Sequence, residues 1–261
     1  MIRMERKATI RIAIILTVFC SAIFASCGSD SYKDIPFGGL NGRVQKVTVW
    51  HLMPEMWYAG NRGTDIMYTN VSVYDVEGNE ICSAVMDSAG HIMSQTESLF
   101  ENGVCIRSVQ KAGNRTIARI NLRSNKKNIL EYSEEKNGQI IDMTVRKSSF
   151  GRRHKSVVTE DGQVITISII KTDRQGYPVK IIITEPQTGN RIVETNKFDE
   201  NHNVIEKHVF THNGKNGKDE EKITYTDYSG ADDHGNWVDA RTYDEFRLPS
   251  EVLVREFEYW D

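Results

Sequence analysis

The residues best able to do chemistry gather in two short stretches of the C-terminal half. The first holds Asp199, Glu200, Asn201, His202 and Asn203, followed by His208 and His212. On a helix, His208 and His212 would share one face and could chelate a divalent metal. On a strand the same spacing separates them by roughly 13 Å, at about 3.3 Å per residue. Residues 204–210 alternate as a strand does, so solvated histidines are expected. Asp199 to Asn203 also offers oxygen ligands at alternating positions, as the start of a calcium loop does. That loop needs Gly at its sixth position and Glu at its twelfth; Val204 and Phe210 stand there, and the stretch reads as an Asx-rich turn. The second stretch holds Asp232, Asp233, His234 and Asp239 beside Trp237. A glycan-cleaving enzyme needs two carboxylates about 5–10 Å apart in a cleft. With 36 Asp and Glu residues in the chain, pairs at such spacing arise without function, and turn-forming carboxylates are expected. No Gly-x-Ser-x-Gly elbow, phosphate-binding loop or dinucleotide fingerprint occurs. No catalytic residue, cofactor or metal ligand is assigned, and the chain reads as a non-enzyme.

Cys82 and Cys105 have no metal-ligand spacing and are too few for a disulfide framework. Each follows a Gly-containing turn, with one further turn between them near Gly90. A whole strand should therefore separate them. Their Cα atoms would then lie roughly 9–10 Å apart, beyond the reach of about 7 Å that a disulfide allows. No bridge between them is expected.

Cys27 is the exception to this sparse chemistry. Arg3, Arg6, Lys7 and Arg11 form a basic leader, and an apolar run follows over 12–25. That run suits a signal segment better than a membrane span of about 20 residues. Ala25 and Ser26 are the small residues a signal peptidase needs before a cut. The pattern Phe24-Ala25-Ser26-Cys27 resembles the lipobox of bacterial lipoproteins, with Phe24 where that family usually has Leu. The resemblance implies a signal peptide over 1–26 and lipidation of Cys27. It further implies a tether over 27–37 and an outer-membrane address, lipid-anchored through Cys27. Cys20 follows the bulky Phe19 and fits less well; a secreted protein cut at Ala25 or Ser26 is the alternative. The segment after Cys27 loosely resembles export signals of surface lipoproteins in Bacteroides-like bacteria, which favours the cell surface over the periplasmic face.

The formal charge is −3. Removing residues 1–26 takes away those four basic residues and one acidic one, Glu5, and moves it to −6. No basic patch exists, so nucleic acid is not expected as a partner.

From Val71 onward the chain repeats one unit, an alternating apolar and polar run followed by a turn rich in Gly or Asn. The turns fall at Gly78, Gly90, Gly103, Gly113, Gly138, Gly162, Gly176, Gly189, Asn201 to Asn203, Gly214 and Gly235. Most lie about 10–14 residues apart, leaving strands of about five to eight. The runs around Ile165 to Ile170 and Val179 to Ile183 are the most apolar and should lie centrally. Residues 43–52 should be the first strand, and Met53 to Gly63 a long loop. The expectation is an all-β domain over 38–261, an antiparallel meander of repeated hairpins forming an open, curved or partly closed sheet.

Within the meander, Asp-x-x-Gly recurs at Asp75, Asp87, Asp173 and Asp232, with a degenerate copy at Asp199. The Asp accepts a backbone N–H inside the turn and the Gly takes the left-handed position. The fullest copy, Val73-Tyr74-Asp75-Val76-Glu77-Gly78-Asn79, resembles the YD repeat of RHS-type proteins. That family's repeats imply a wound β sheet and no catalytic residue. Three functions follow as expectations. The first is a non-enzymatic binding or scaffold lipoprotein with an envelope protein or glycan as partner. The alternatives are a carrier of an apolar ligand such as a lipid in a concave sheet face, and a glycan-active enzyme.

Overall fold

The computed structural model describes residues 40–54, 66–126, 128–136 and 138–261. The proposed leader, Cys27, the tether and most of the expected 53–63 loop lie outside the described residues. Sixteen strands form among those described: β1 (Val44–Leu52), β2 (Ile66–Tyr74), β3 (Glu80–Asp87), β4 (Ile92–Glu101), β5 (Val104–Ala112), β6 (Arg115–Lys126), β7 (Ile129–Lys136) and β8 (Gln139–Phe150), then β9 (Arg153–Glu160), β10 (Gln163–Thr172), β11 (Pro178–Glu185), β12 (Asn190–Phe198), β13 (Val204–Asn213), β14 (Lys218–Ala231), β15 (Trp237–Tyr243) and β16 (Pro249–Tyr259). Each pairs antiparallel with its neighbours in sequence, as the spacing of turn residues implies.

Closure corrects the expected open or partly closed sheet. β1 and β16 pair antiparallel, with Val47 opposite Phe257, Val49 opposite Arg255 and His51 opposite Leu253. The ends of the meander therefore satisfy each other's backbone groups and form a closed barrel. The physical reason is curvature. Register shifts interrupt the ladders between Val164 and Thr166, Leu122 and Ser124, Val73 and Tyr74, and Thr242 and Tyr243. Each bulge adds local bend and twist, and enough bend brings the two edges together. The apolar β10 and β11 consequently have no central position to occupy.

Six of the turns share one hydrogen-bond pattern, at Asp75, Asp87, Asp173, Asp199, Asp232 and Asp244. The Asp N–H donates to the carbonyl four residues later. Its carboxylate Oδ1 accepts the N–H groups two and four residues later, at 2.8–3.1 Å. The fourth residue takes positive φ. It is Gly at four turns, but His202 (φ 64) and Arg247 (φ 60) at the others. Both substitutes stack on a neighbouring aromatic, His202 on Tyr177 at 4.1 Å and Arg247 over Tyr225 at 3.5 Å. That contact offsets a left-handed backbone costing about 1 kcal/mol. The Asp244 turn has no Gly, and unlike the Asn-rich Asp199 turn it left no mark in the sequence.

Paired residues share a face, so the registers divide the wall into two sets. The inner set contains Tyr74, Ser108, Ala118, Tyr132, Met143, Val145, Ser156, Val158, Ile170, Asn196 and Ala240, all buried. Leu130, Tyr132, Met143, Val145 and Val158 form one packed cluster, and Val44, Val47 and Tyr74 form another against Phe257, Tyr259 and Trp260. The outer set carries ion pairs between strands. These include Lys46–Glu258 at 2.6 Å, Lys111–Glu97 at 2.6 Å, Arg119–Glu135 at 3.3 Å, Arg123–Asp142 at 2.6 Å and Lys197–Glu206 at 2.7 Å.

The outer wall is mixed: an outward apolar run of Val157, Ile167, Ile169, Ile182, Val193 and Phe210 crosses β9 to β13, while other strands carry charges. Outward positions on β5 read Arg107, Val109 and Lys111; those on β7 read Ile129, Glu131, Ser133 and Glu135. Each Lys or Arg held at a bilayer midplane would cost about 2–4 kcal/mol.

Cys82 on β3 faces outward opposite Glu97, while Cys105 on β5 is buried inside, and β4 lies between them. Both are free thiols. The intervening strand matches the sequence expectation. Their placement on opposite faces is an additional barrier to bridging.

Candidate functional site

Closure turns the concave face into a lumen, and sixteen strands enclose enough width for an aqueous interior. Part of that inner wall is polar. Ser72, Ser83, Ser94, Thr96 and Gln110 line a chamber of about 280 Å³ together with Asn70 and Glu80. Burial pushes the Glu80 carboxyl up, while hydrogen bonds from Ser72 and Ser83 pull it back only in part.

A larger cavity of about 520 Å³ opens at the mouth where the turns 173–177, 199–203 and 232–236 meet the chain ends. Its rim is built by the Asp turns and its floor by Tyr228, Trp237 and Arg255 from β14, β15 and β16. Asn41 and Asn236 clasp one another: Asn41 N–H donates to Asn236 Oδ1 at 2.7 Å, and Asn236 Nδ2 donates to the Asn41 carbonyl at 2.9 Å. Asn236 Nδ2 also lies 2.8 Å from the Tyr259 hydroxyl, which donates to Asp232 Oδ2. Burial, then the Asp232 carboxylate, pushes the Tyr259 phenol up to about 12. Burial alone would raise Asp232 as well. The hydrogen bonds from Tyr259, Asn236 and His234 outweigh it and hold this carboxyl below the usual range.

Arg255 lies inward between Leu253 and Phe257, with its guanidinium carbon 3.6 Å from the Trp237 ring centroid. Tyr228 packs on Trp237 at 5.1 Å, and its hydroxyl donates to the Val204 carbonyl at 2.9 Å. Burial lowers Arg255 to about 10, which leaves it charged at neutral pH.

At the opposite mouth a second cluster joins β1, β2 and β16. His51 Nδ1 lies 2.7 Å from Glu251 Oε1, Asn70 Nδ2 lies 3.0 Å from His51 Nε2, and His51 stacks on Tyr68 at 3.9 Å. The Tyr68 hydroxyl donates to Glu251 at 3.3 Å, and burial followed by that carboxylate pushes its phenol up to about 12. Both His51 nitrogens are engaged, so the cluster acts as a staple across the closing seam.

The two stretches singled out in the sequence are dispersed. His202 sits on the cavity rim, whereas His208 and His212 face outward beside Glu206 and Asp219, at 2.7 and 2.6 Å. Asp199 is committed to its turn, and Asn203 Nδ2 donates to its second oxygen at 3.0 Å. Asp232 holds the mouth together, while Asp239 faces outward opposite Val254. No carboxylate pair faces across a cleft there. No cluster of three metal-ligating side chains occurs among the described residues. Arg255, Tyr228, Tyr177 and Asn41 were not singled out from sequence. The available signal was Arg255 itself, which with Glu251 is charged on a face of β16 that otherwise shows Leu253, Phe257 and Tyr259.

Glu134 is a further inward carboxyl, only 4% exposed. Burial pushes it up; Lys136 opposes the shift and Glu160 adds to it. A raised carboxyl destabilises the folded state when ionised, so stability should rise as pH falls from neutral through that raised value. Glu134→Gln is expected to stabilise the barrel at pH 7 by on the order of 1 kcal/mol. The gain should fade as pH falls through the raised value toward the unfolded value of about 4.3. Thermal melts of both proteins across that range check this, and a gain independent of pH would contradict the assignment.

No protein-family model and no curated protein sequence matches the chain. Among solved structures, it is similar to a porin-like protein from Bacteroides uniformis, at 8% identity and a TM-score of 0.49, covering 84% of this chain and 98% of that one. It is also similar to a porin-like protein from Bacteroides vulgatus, at 12% identity and a TM-score of 0.44, covering 83% and 98%.

Proposed function

We propose that the chain is a β-barrel protein of the outer membrane whose working surface is its lumen, a water-filled space admitting small polar solutes. One observation carries this reading: the barrel is closed and buries hydroxyl and amide side chains, Ser108, Gln110, Ser156 and Asn196 among them, on its inner wall. Buried polar groups need hydrogen-bond partners, and water or a polar solute would supply them where the protein leaves atoms open, as at Ser156 Oγ and Asn196 Oδ1. The expected binding or scaffold module is overturned, because closure leaves neither an open sheet face nor a free edge. Its two alternatives, a lipid carrier with an open concave face and a glycan-active enzyme, fit the closed barrel no better.

Attachment to the membrane is assigned to acyl groups on Cys27, the residue that closes the lipobox-like Phe24-Ala25-Ser26-Cys27. Two or three acyl chains make a durable anchor, at about 0.8 kcal/mol per buried CH₂. The Asp turns serve as degenerate relatives of the YD repeat, with Tyr74-Asp75 the fullest copy.

Two measurements test this. Cys27→Ala should move the protein from the membrane pellet to the soluble fraction; a variant that stays in the pellet would show that the wall itself inserts. Thr96→Cys in a Cys82→Ser background places a thiol on the inner wall. It should react with a small charged thiol reagent but not with a polymer-bulked maleimide until the protein is denatured. If the small reagent fails as well, the lumen is closed to solutes.

A further inference from the structure

Arg255 is the only Lys or Arg among the described residues lining the mouth cavity. Its guanidinium lies flat on Trp237, and its Nε is buried without a hydrogen-bond partner. Among the described residues, no carboxylate lies within ion-pair distance of it. Glu200 lines the same cavity without pairing with Arg255, and Asp232 and Asp199 are committed elsewhere. Asp232 accepts from Tyr259, Asn236 and the His234 N–H, and Asp199 accepts from Asn201 and Asn203. The protein thus holds a guanidinium in place through its aromatic stack and leaves its donors uncompensated beside a cavity. An enclosed charge without a counter-charge is costly. A planar guanidinium fork matches the two oxygens of a carboxylate or phosphate. Asn201 on the rim brings a further side-chain amide to the same space.

We propose that this cavity is a binding site for a small oxyanion group, a carboxylate or a phosphate, gripped by Arg255 on its Trp237 platform. The inference rests on the luminal reading only in requiring that this mouth be open to water. It makes the solute class anionic despite the acidic balance of the whole chain. Selectivity comes from a guanidinium that the fold holds at this mouth without an ion-pair partner, and Tyr228 and Tyr177 offer aromatic walls to the rest of the solute.

The test uses the full chain in detergent, with inorganic phosphate, acetate and uncharged glycerol as calorimetric probes. Wild type should bind phosphate, acetate or both saturably, and should not bind glycerol. The arm that binds identifies the preferred oxyanion. Arg255→Met keeps the apolar stem on Trp237 and should weaken binding roughly 10- to 100-fold. Arg255→Lys keeps the charge without the fork and should fall between. In anion-free buffer Arg255→Met should melt no lower than wild type, because it removes an uncompensated charge. Phosphate or acetate should raise the melting temperature of wild type alone. Absence of saturable binding by wild type, or equal affinity in Arg255→Met, would overturn the proposal. If Arg255→Met does not fold, Arg255→Lys decides, and wild-type affinity there would rule out the bidentate grip. Failed anion binding while the Thr96 thiol still labels would sink the anion site and leave the luminal reading standing. An unreactive Thr96 thiol would sink the luminal reading itself.

Discussion

Deleting residues 249–261 is expected to abolish the folded barrel, not to shorten it by one strand. β16 is hydrogen-bonded on both sides, to β15 and to β1. Its loss would strip the ladder from β1 and scatter the cluster in which Val44, Val47 and Tyr74 pack on Phe257, Tyr259 and Trp260. The Glu251 end of the His51 staple and the Tyr259 end of the Asp232 network would go with it. Two free edges would appear, one of them the Val-rich β1, a template for pairing with other chains. The combined loss is comparable to a whole domain's net stability of about 5–15 kcal/mol. Circular dichroism and limited proteolysis of the truncated protein should show aggregation or rapid digestion. An open meander would instead keep its remaining strands, so a cooperative melt in the truncated chain would refute closure. A milder probe is the pair Thr48→Cys and Glu256→Cys, directly opposite across the seam and outward-facing. Paired Cα atoms lie about 4.5–5.5 Å apart, within disulfide reach. Oxidation should therefore link them within one chain.

The hairpins were legible because local chemistry specifies them. Alternation and Asp-x-x-Gly turns are short-range signals, and Gly78, Gly90, Gly176 and Gly235 all take the positive φ those turns need. Closure was not legible. It depends on pairing Val49 with Arg255 across almost the whole chain, and on bulges that leave no fixed sequence mark. Open and closed sheets share the same hairpin pattern and differ only in accumulated bend. The site was hidden for the same reason. Arg255, Trp237, Asn41 and His202 converge only after the seam is joined; until then Arg255 and Asn41 read as ordinary strand and turn residues, and His202 and Trp237 drew notice for other chemistry. The histidines and carboxylates that drew attention by proximity in sequence lost it in the fold, because a strand sends neighbours to opposite faces.

Asp232→Ala should be the most damaging of the six turn substitutions. In every Asp turn the carboxylate accepts two backbone N–H groups, and the exposed Asp87 does little beyond that, adding only a 3.2 Å contact to His91. Asp87→Ala is expected to cost distinctly less than Asp232→Ala. Asp232 additionally accepts from the Tyr259 hydroxyl and from the Asn236 side chain, which in turn clasps Asn41. Its removal would leave partly buried donors unmatched and would loosen the N-terminal entry, the 232–236 turn and the end of β16 together. A cost of about 3–4 kcal/mol follows from charge-assisted hydrogen bonds at about 1.5–3 kcal/mol each, discounted for their mutual dependence. The pH dependence separates this role from simple turn loss. The folded Asp232 carboxyl is held below its usual range. Its contribution is therefore complete above the unfolded value near 4 and is lost as pH falls through the lower folded value. Denaturant melts of wild type and Asp232→Ala should differ most from pH 5 upward and converge as the solution is acidified below about pH 4. Asp232→Asn keeps an acceptor oxygen for the turn but loses the charge that Tyr259 meets, and should retain an intermediate stability with little pH dependence of its own. A gap between wild type and Asp232→Ala that stayed constant through that acid range would mean that the charge on Asp232 does not hold the mouth together.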